Sequence, residues 1–83
     1  MKLLDDEAIE FKQGQYKYKA VVVTGPILIQ SKAEGEAAYS TVTDGSIAAT
    51  EDKLMSISEG ESIKVQLAAS DEFYISIVES GAF

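Results

Sequence analysis

The side chains with chemistry to offer in this sequence are carboxylates, serine hydroxyls, lysines and tyrosines, because histidine and cysteine are both absent. Without imidazole or thiol, acid–base work near neutrality falls to a lysine or to a carboxyl displaced by burial. The acids fall mostly in groups: Asp5-Asp6-Glu7, Glu34 and Glu36, Glu51-Asp52, Glu59 and Glu61, Asp71-Glu72. A pair of carboxylates is the equipment of glycoside hydrolysis. A loop cluster of them is the equipment of a calcium site, which collects about six to eight oxygens. Nearly all of these acids stand in turn-like stretches, where the plainer role is solvated charge, and no Asp-x-Asp-x-Asp-Gly loop occurs. The nine serines have no histidine to serve as base, and no Ser-x-x-Lys motif replaces it. The six glycines stand singly, so none builds a phosphate-cradling loop ahead of a helix. The expectation is a protein that is not an enzyme, with no cofactor and no metal.

Aromatic residues are the remaining candidates. Flat rings suit the apolar face of a sugar, but tryptophan, the stronger residue for that task, is missing. Phe73 belongs with Ile75 and Ile77 in a core. Tyr16 and Tyr18 alternate with lysines, a pattern that fits either a partner surface, since tyrosine gives wide contact at low entropic cost, or the rim of a core. The candidate partner-contact residues are Phe11, Tyr16, Tyr18, Tyr74 and the terminal Phe83.

The elements that must position them are strands, because period-two alternation recurs and helical periodicity is nearly absent. Tyr16, Tyr18, Ala20 and Val22 share one face of a strand, with Lys17, Lys19, Val21 and Val23 on the other. Thr24-Gly25-Pro26 interrupts it, since proline has no amide to donate. Ile27 to Ser31 is extended again, and Ala33 to Glu36 is a hairpin-type turn with Gly35 at positive φ. Tyr39 to Thr43 reads as a strand, Asp44-Gly45 as a hairpin turn, Ser46 to Thr50 as a light strand and Glu51-Asp52-Lys53 as a polar turn. Leu54 to Ser58 leads into the turn Glu59-Gly60-Glu61. Ile63, Val65 and Leu67, then Phe73, Ile75 and Ile77, mark two half-buried strands. Residues 8–12 fit a strand better than a short helix on Leu4, Ala8 and Phe11. About seven or eight short strands at roughly ten-residue spacing predict an all-β fold, an antiparallel β-sandwich or partly open barrel. Residues 1–15 form an N-terminal segment, an edge strand or arm, ahead of a sandwich domain at 16–83.

With 83 residues there is one core. A chain this small needs a supplement to its stability, and with disulfides and zinc excluded by composition, self-association is the one left. Fourteen acids against seven lysines give a net charge of −7, the wrong sign for phosphate backbones or anionic membrane surfaces. No nucleic acid and no membrane is expected. Met1 to Glu7 has no apolar run of signal-peptide length, and no window approaches the roughly 18 apolar residues of a span. Synthesis in a cytoplasm is the simplest expectation.

The order of signals over residues 20–81 resembles small β-sandwich proteins carried on the virions of tailed bacteriophages. The matching pieces are Val21-Val-Val-Thr-Gly25, Ile27-Leu-Ile-Gln-Ser31, Gly35, Tyr39-Ser-Thr-Val42, Asp44-Gly45, Glu59-Gly60 and Phe73-Tyr-Ile-Ser-Ile77. The likeness lies in turn spacing and strand character, and Tyr39 stands where tryptophan is more usual. It implies a capsid decoration, or cement, protein made in the host cytoplasm and carried on the virion. The implied partners are a major capsid protein and copies of the chain itself, with a homotrimer as first guess. A carbohydrate-binding module and a tail or baseplate adhesion module are the alternatives.

Overall fold

The computed structural model describes residues 1–78. They are all-β, with eight strands in two antiparallel sheets of four that do not close into a barrel. In chain order the strands are β1 (Lys2–Leu3), β2 (Ile9–Glu10), β3 (Gly14–Val21) and β4 (Ile27–Lys32), then β5 (Ser40–Ile47), β6 (Glu51–Ile57), β7 (Ser62–Gln66) and β8 (Glu72–Ile77). The first sheet runs β1-β8-β3-β6 and the second β2-β7-β4-β5. The N-terminal strands β1 and β2 thus sit at the edge of one sheet each. The molecule is a slab of 36 × 35 × 20 Å.

Alternation decides which side chains meet between the sheets. Tyr16, Tyr18 and Ala20 of β3, Ile57 of β6 and Phe73 and Ile75 of β8 turn inward from the first sheet. Ile27 and Ile29 of β4, Ile47 of β5 and Ile63 and Val65 of β7 turn inward from the second. Phe73 is fully buried and lies opposite Leu3 on one side and Ala20 on the other. The small Ala20 leaves room for the large ring, and Tyr18 stacks on it with centroids 5.2 Å apart. Burying each such large apolar side chain contributes about 1.5–3 kcal/mol.

The turn at Ala33–Glu36 forms as expected: the Glu36 N–H donates to the Ala33 carbonyl at 3.0 Å, and Gly35 has φ of 88°. Three expectations further on are corrected. Asp44-Gly45 is no hairpin turn; it lies inside β5, where Val42 to Gly45 bulge out opposite Ile29 alone. Asp44 takes the left-handed conformation at φ 58°, and Gly45 passes so close to the chain that a Cβ there would stand 2.8 Å from the Val42 carbonyl oxygen and 2.9 Å from that of Ile29. A bulge and a hairpin turn ask for the same residues, because both need a left-handed position and a glycine. Ser46 to Thr50 is consequently no separate strand: it completes β5 at Ile47 and then turns. Glu51-Asp52-Lys53 opens β6 rather than forming a turn, and its polar residues fit because β6 is an edge strand.

Among the described residues, only the β4–β5 connection stays within one sheet; every other connection crosses between the two. Core substitutions report how far this single core carries the fold. Phe73→Ala is expected to cost about 3–5 kcal/mol, a large part of the roughly 5–15 kcal/mol typical of a domain, whereas Ile63→Val costs about 0.5–1.5 kcal/mol. Urea midpoints with unchanged slopes measure both, and a Phe73→Ala loss no larger than that of Ile63→Val contradicts this core.

Candidate functional site

The connections β1–β2, β3–β4, β5–β6 and β7–β8 all cross at one end of the slab, and their backbone amides leave the sheets without ladder partners. Side chains supply the partners. The Asp71 carboxylate, 7% exposed, accepts from the Val23 and Thr24 amides at 2.7 Å each, from Gly25 at 2.9 Å and from Ala68 at 3.2 Å. It therefore holds the β3–β4 crossover against the β7–β8 crossover. The Thr24 hydroxyl adds a bond to the Ala69 carbonyl at 2.5 Å. Thr50 accepts from the Val22 amide at 3.0 Å, and Asp5 accepts from the Leu67 amide at 2.8 Å, so the other two crossovers join the same cluster. Burial alone would push the Asp71 carboxyl up, but the four amides outweigh it and hold the group below its ordinary value.

The acids of the turns follow one rule. In Leu4–Glu7, Ala33–Glu36, Ser58–Glu61 and Ala68–Asp71, the fourth residue donates its amide to the carbonyl of the first. Its carboxylate in turn accepts from the amide of the first. These side chains lock their own turns, a role that goes beyond solvated charge and that the grouping of acids did not disclose. A signal was present: Ala33-Glu-Gly-Glu36 and Ser58-Glu-Gly-Glu61 repeat the same pattern. Among the described residues no group of three acids stands where it could hold a metal ion.

Of the five candidate contact residues, two lie in the core. Tyr16 and Tyr18 are 6% and 5% exposed, so their assignment to a partner surface is corrected to core packing. Each hydroxyl reaches the edge of the core to find an acceptor. Tyr16 donates to the Lys12 carbonyl at 2.8 Å and Tyr18 to the Glu51 carboxylate at 2.7 Å. Burial first, then the bond to Glu51, pushes the Tyr18 phenol upward. Phe11 is half-buried and packs edge-on to Tyr16, with centroids 5.3 Å apart. Tyr74 is half-buried on the other side of the first sheet, away from these three. Phe83 lies outside the described residues.

Tyr74 belongs to a broad face. On the outside of the first sheet, Lys19 stands between Tyr74 and Asp52, and Lys17 between Ser76 and Leu54. Lys2 lies opposite Tyr74. Lys2 pairs with Glu72 at 3.0 Å; the bond raises the lysine and lowers the acid. A shallow depression of about 420 Å³ between Lys17, Lys19, Asp52 and Tyr74 marks this face. Leu54, at its β6 margin, is 60% exposed. On the second sheet, by contrast, Lys32 and Lys64 stand over the ring of Tyr39, 5.4 and 4.6 Å from its centroid, and Lys64 also pairs with Asp6 at 3.0 Å. A smaller cavity of about 180 Å³ opens between β5 and β6, with Tyr18, Val42, Asp44, Lys53 and Met55 in its wall.

Comparison with known proteins returned no match: no family model, no curated protein and no solved structure is similar to this chain.

The crossover cluster has a pH signature. Asp71 is depressed below its ordinary value of 3.8 when folded, so its contribution is complete above that value and is lost as pH falls through the folded value. Urea midpoints are expected to hold level down to about pH 5 and to drop below about pH 4. Asp71→Asn should lower the midpoint at pH 7 and flatten that acid drop. An acid limb as steep in the variant as in the parent excludes Asp71 as its source.

Proposed function

We propose that the protein is a non-catalytic adhesion component of a virion, a capsid decoration protein that binds the outside of an assembled shell through the outer face of its first sheet. The observation that carries this reading is the employment of its acids. Five carboxylates, those of Asp5, Glu7, Glu36, Glu61 and Asp71, are bonded to turn and crossover amides, and Asp6, Glu51 and Glu72 pair with lysines. What the chain offers a partner is area: a sheet face carrying Lys2, Lys17, Lys19, Tyr74 and Leu54, with Asp52 and Glu72 beside the lysines. The sequence resemblance points the same way, toward a capsid protein as partner and toward self-association. On a chain of net charge −7, a lysine-bearing face also gives a preferred orientation toward an acidic surface. Stacking of sugars is less well supported, because lysine ammonium groups stand over the ring of Tyr39 and, at 5.9 Å, over that of Tyr74.

Phage heads stripped of decoration are the test. The purified protein is expected to co-sediment with them and to raise the temperature at which they rupture. The double variant Lys17→Glu/Lys19→Glu should melt within a few degrees of the parent and bind at least about tenfold more weakly. Retention on a glycan array without binding to heads would transfer the reading to a carbohydrate module, and binding to tails alone would transfer it to a baseplate component.

A further inference from the structure

Two β-sheets of four strands have four edges, and three of them are blunted here. β1 and β2 are two residues long. β5 is broken by its bulge at Val42 to Gly45, with Asp44 in the left-handed conformation. β6 differs. It pairs with β3 in unbroken register from Glu51, opposite Ala20, to Ile57, opposite Gly14, and contains no proline and no bulge. Its other side presents a row of backbone donors and acceptors without a neighbouring strand among the described residues. Such an edge is a template for another strand.

We infer that the free edge of β6 pairs antiparallel with the β6 edge of a second copy, about a two-fold axis that passes through Leu54. Geometry restricts the choice of axis. Residues directly opposite in an antiparallel pair share a face and a hydrogen-bonding role, so the axis must pass through a residue and not between two. The one register that pairs the whole of Glu51–Ile57 has Leu54 at its centre. It sets Asp52 opposite Ser56, Lys53 opposite Met55 and Glu51 opposite Ile57, with no like charges face to face. Moving the axis to Lys53 or to Asp52 places that charge opposite its own copy, which is destabilising. Moving it to Met55 leaves Glu51 and Asp52 unpaired.

The same register covers what the single chain leaves open. Leu54, 60% exposed, meets its own counterpart on the outer face. On the inner face, Met55 and Lys53 of the second copy arrive at the mouth of the 180 Å³ cavity, whose wall includes Val42 and Asp44. In this mixed wall Met55 of the second copy finds Val42 as an apolar neighbour, and its Lys53 finds the Asp44 carboxylate. The pairing uses the strand edge beside the sheet face proposed for the capsid, shares only the margin at Asp52 and Leu54 with it, and stands without that reading.

The absence of cysteine makes the test specific. A thiol at the axis lies across from itself, about 4.5–5.5 Å away between Cβ atoms, within reach of a disulfide or a short thiol crosslinker. Leu54→Cys is expected to form a covalent dimer on its own. Asp52→Cys and Ser56→Cys should do so only when mixed, and the exposed Ser46→Cys on the second sheet not at all. Light scattering of the unmodified chain is expected to give the mass of two copies. Crosslinking of Leu54→Cys no greater than that of Ser46→Cys overturns the inference, as does a mass of one copy at every concentration. A mass of three without the Leu54 crosslink overturns it too, while leaving the capsid reading intact; a crosslinked dimer that ignores phage heads supports it and sinks that reading instead.

Discussion

Everything in this sandwich depends on finding partners for amides that leave the sheets. A chain that changes sheet at almost every connection exposes a short run of unpaired backbone at each crossing, and buried or half-buried amides must be bonded. Larger proteins close such ends with helices or long loops. Here one carboxylate, that of Asp71, gathers four amides from two crossovers. It joins the segment after β3 to the segment before β8, and these strands are neighbours in the first sheet. The clamp thus fixes the end of the very pair that supplies Tyr18, Ala20 and Phe73 to the core. Without it, the single side-chain bonds of Thr24, Thr50 and Asp5 would be left to hold the end where four crossings meet.

The acidic balance acquires a structural meaning from this. A net charge of −7 repels itself and, taken alone, weakens a compact state. Five of the acids, Asp5, Glu7, Glu36, Glu61 and Asp71, are placed where amides bond the carboxylate, so part of the repulsion is offset locally. Three lysines offset other acids directly: Lys2 pairs with Glu72, Lys53 with Glu51 and Lys64 with Asp6. Lys2, Lys17 and Lys19 share the outer face of one sheet, and Lys32 and Lys64 cover a tyrosine on the other. The outer face of the first sheet is thereby mixed in charge, with Asp52 and Glu72 among its lysines.

Much of the architecture was legible in the alternation. Ile63 with Val65, Phe73 with Ile75 and Tyr16 with Tyr18 are period-two pairs that face the core, whereas Ile77, expected to join Phe73 and Ile75, is exposed at the end of β8. What was not legible shares one cause, that different structures use the same local chemistry. Asp-Gly serves a bulge as readily as a hairpin, and only the close approach of Ile29 at Gly45 separates them. Glu51-Asp52-Lys53 reads as a turn because it is polar, yet an edge strand tolerates polarity since one side of it meets solvent. Tyr16 and Tyr18 looked like contact residues because lysines alternate with them. The lysines in fact mark the opposite face, and continuation of the tyrosine face through Ala20 is the sign that it turns inward. The role of the acids in the turns was hidden for another reason. It is set by hydrogen-bond direction, at which only the repeated Glu-Gly-Glu spacing at 34–36 and 59–61 hints.

Edge protection closes the argument about assembly. A sandwich with several open edges tends to add strands at each and grow into fibres, whereas one with a single open edge has a limit. In this chain short strands and a bulge remove three edges from use, and each does so at some loss of ladder hydrogen bonding. An isologous contact at the fourth consumes the same surface on both partners, so nothing remains to recruit a third strand. The features that look like irregularities in a small sheet protein, two stunted strands and a bulge, are then what allow one regular strand to stay exposed without inviting aggregation.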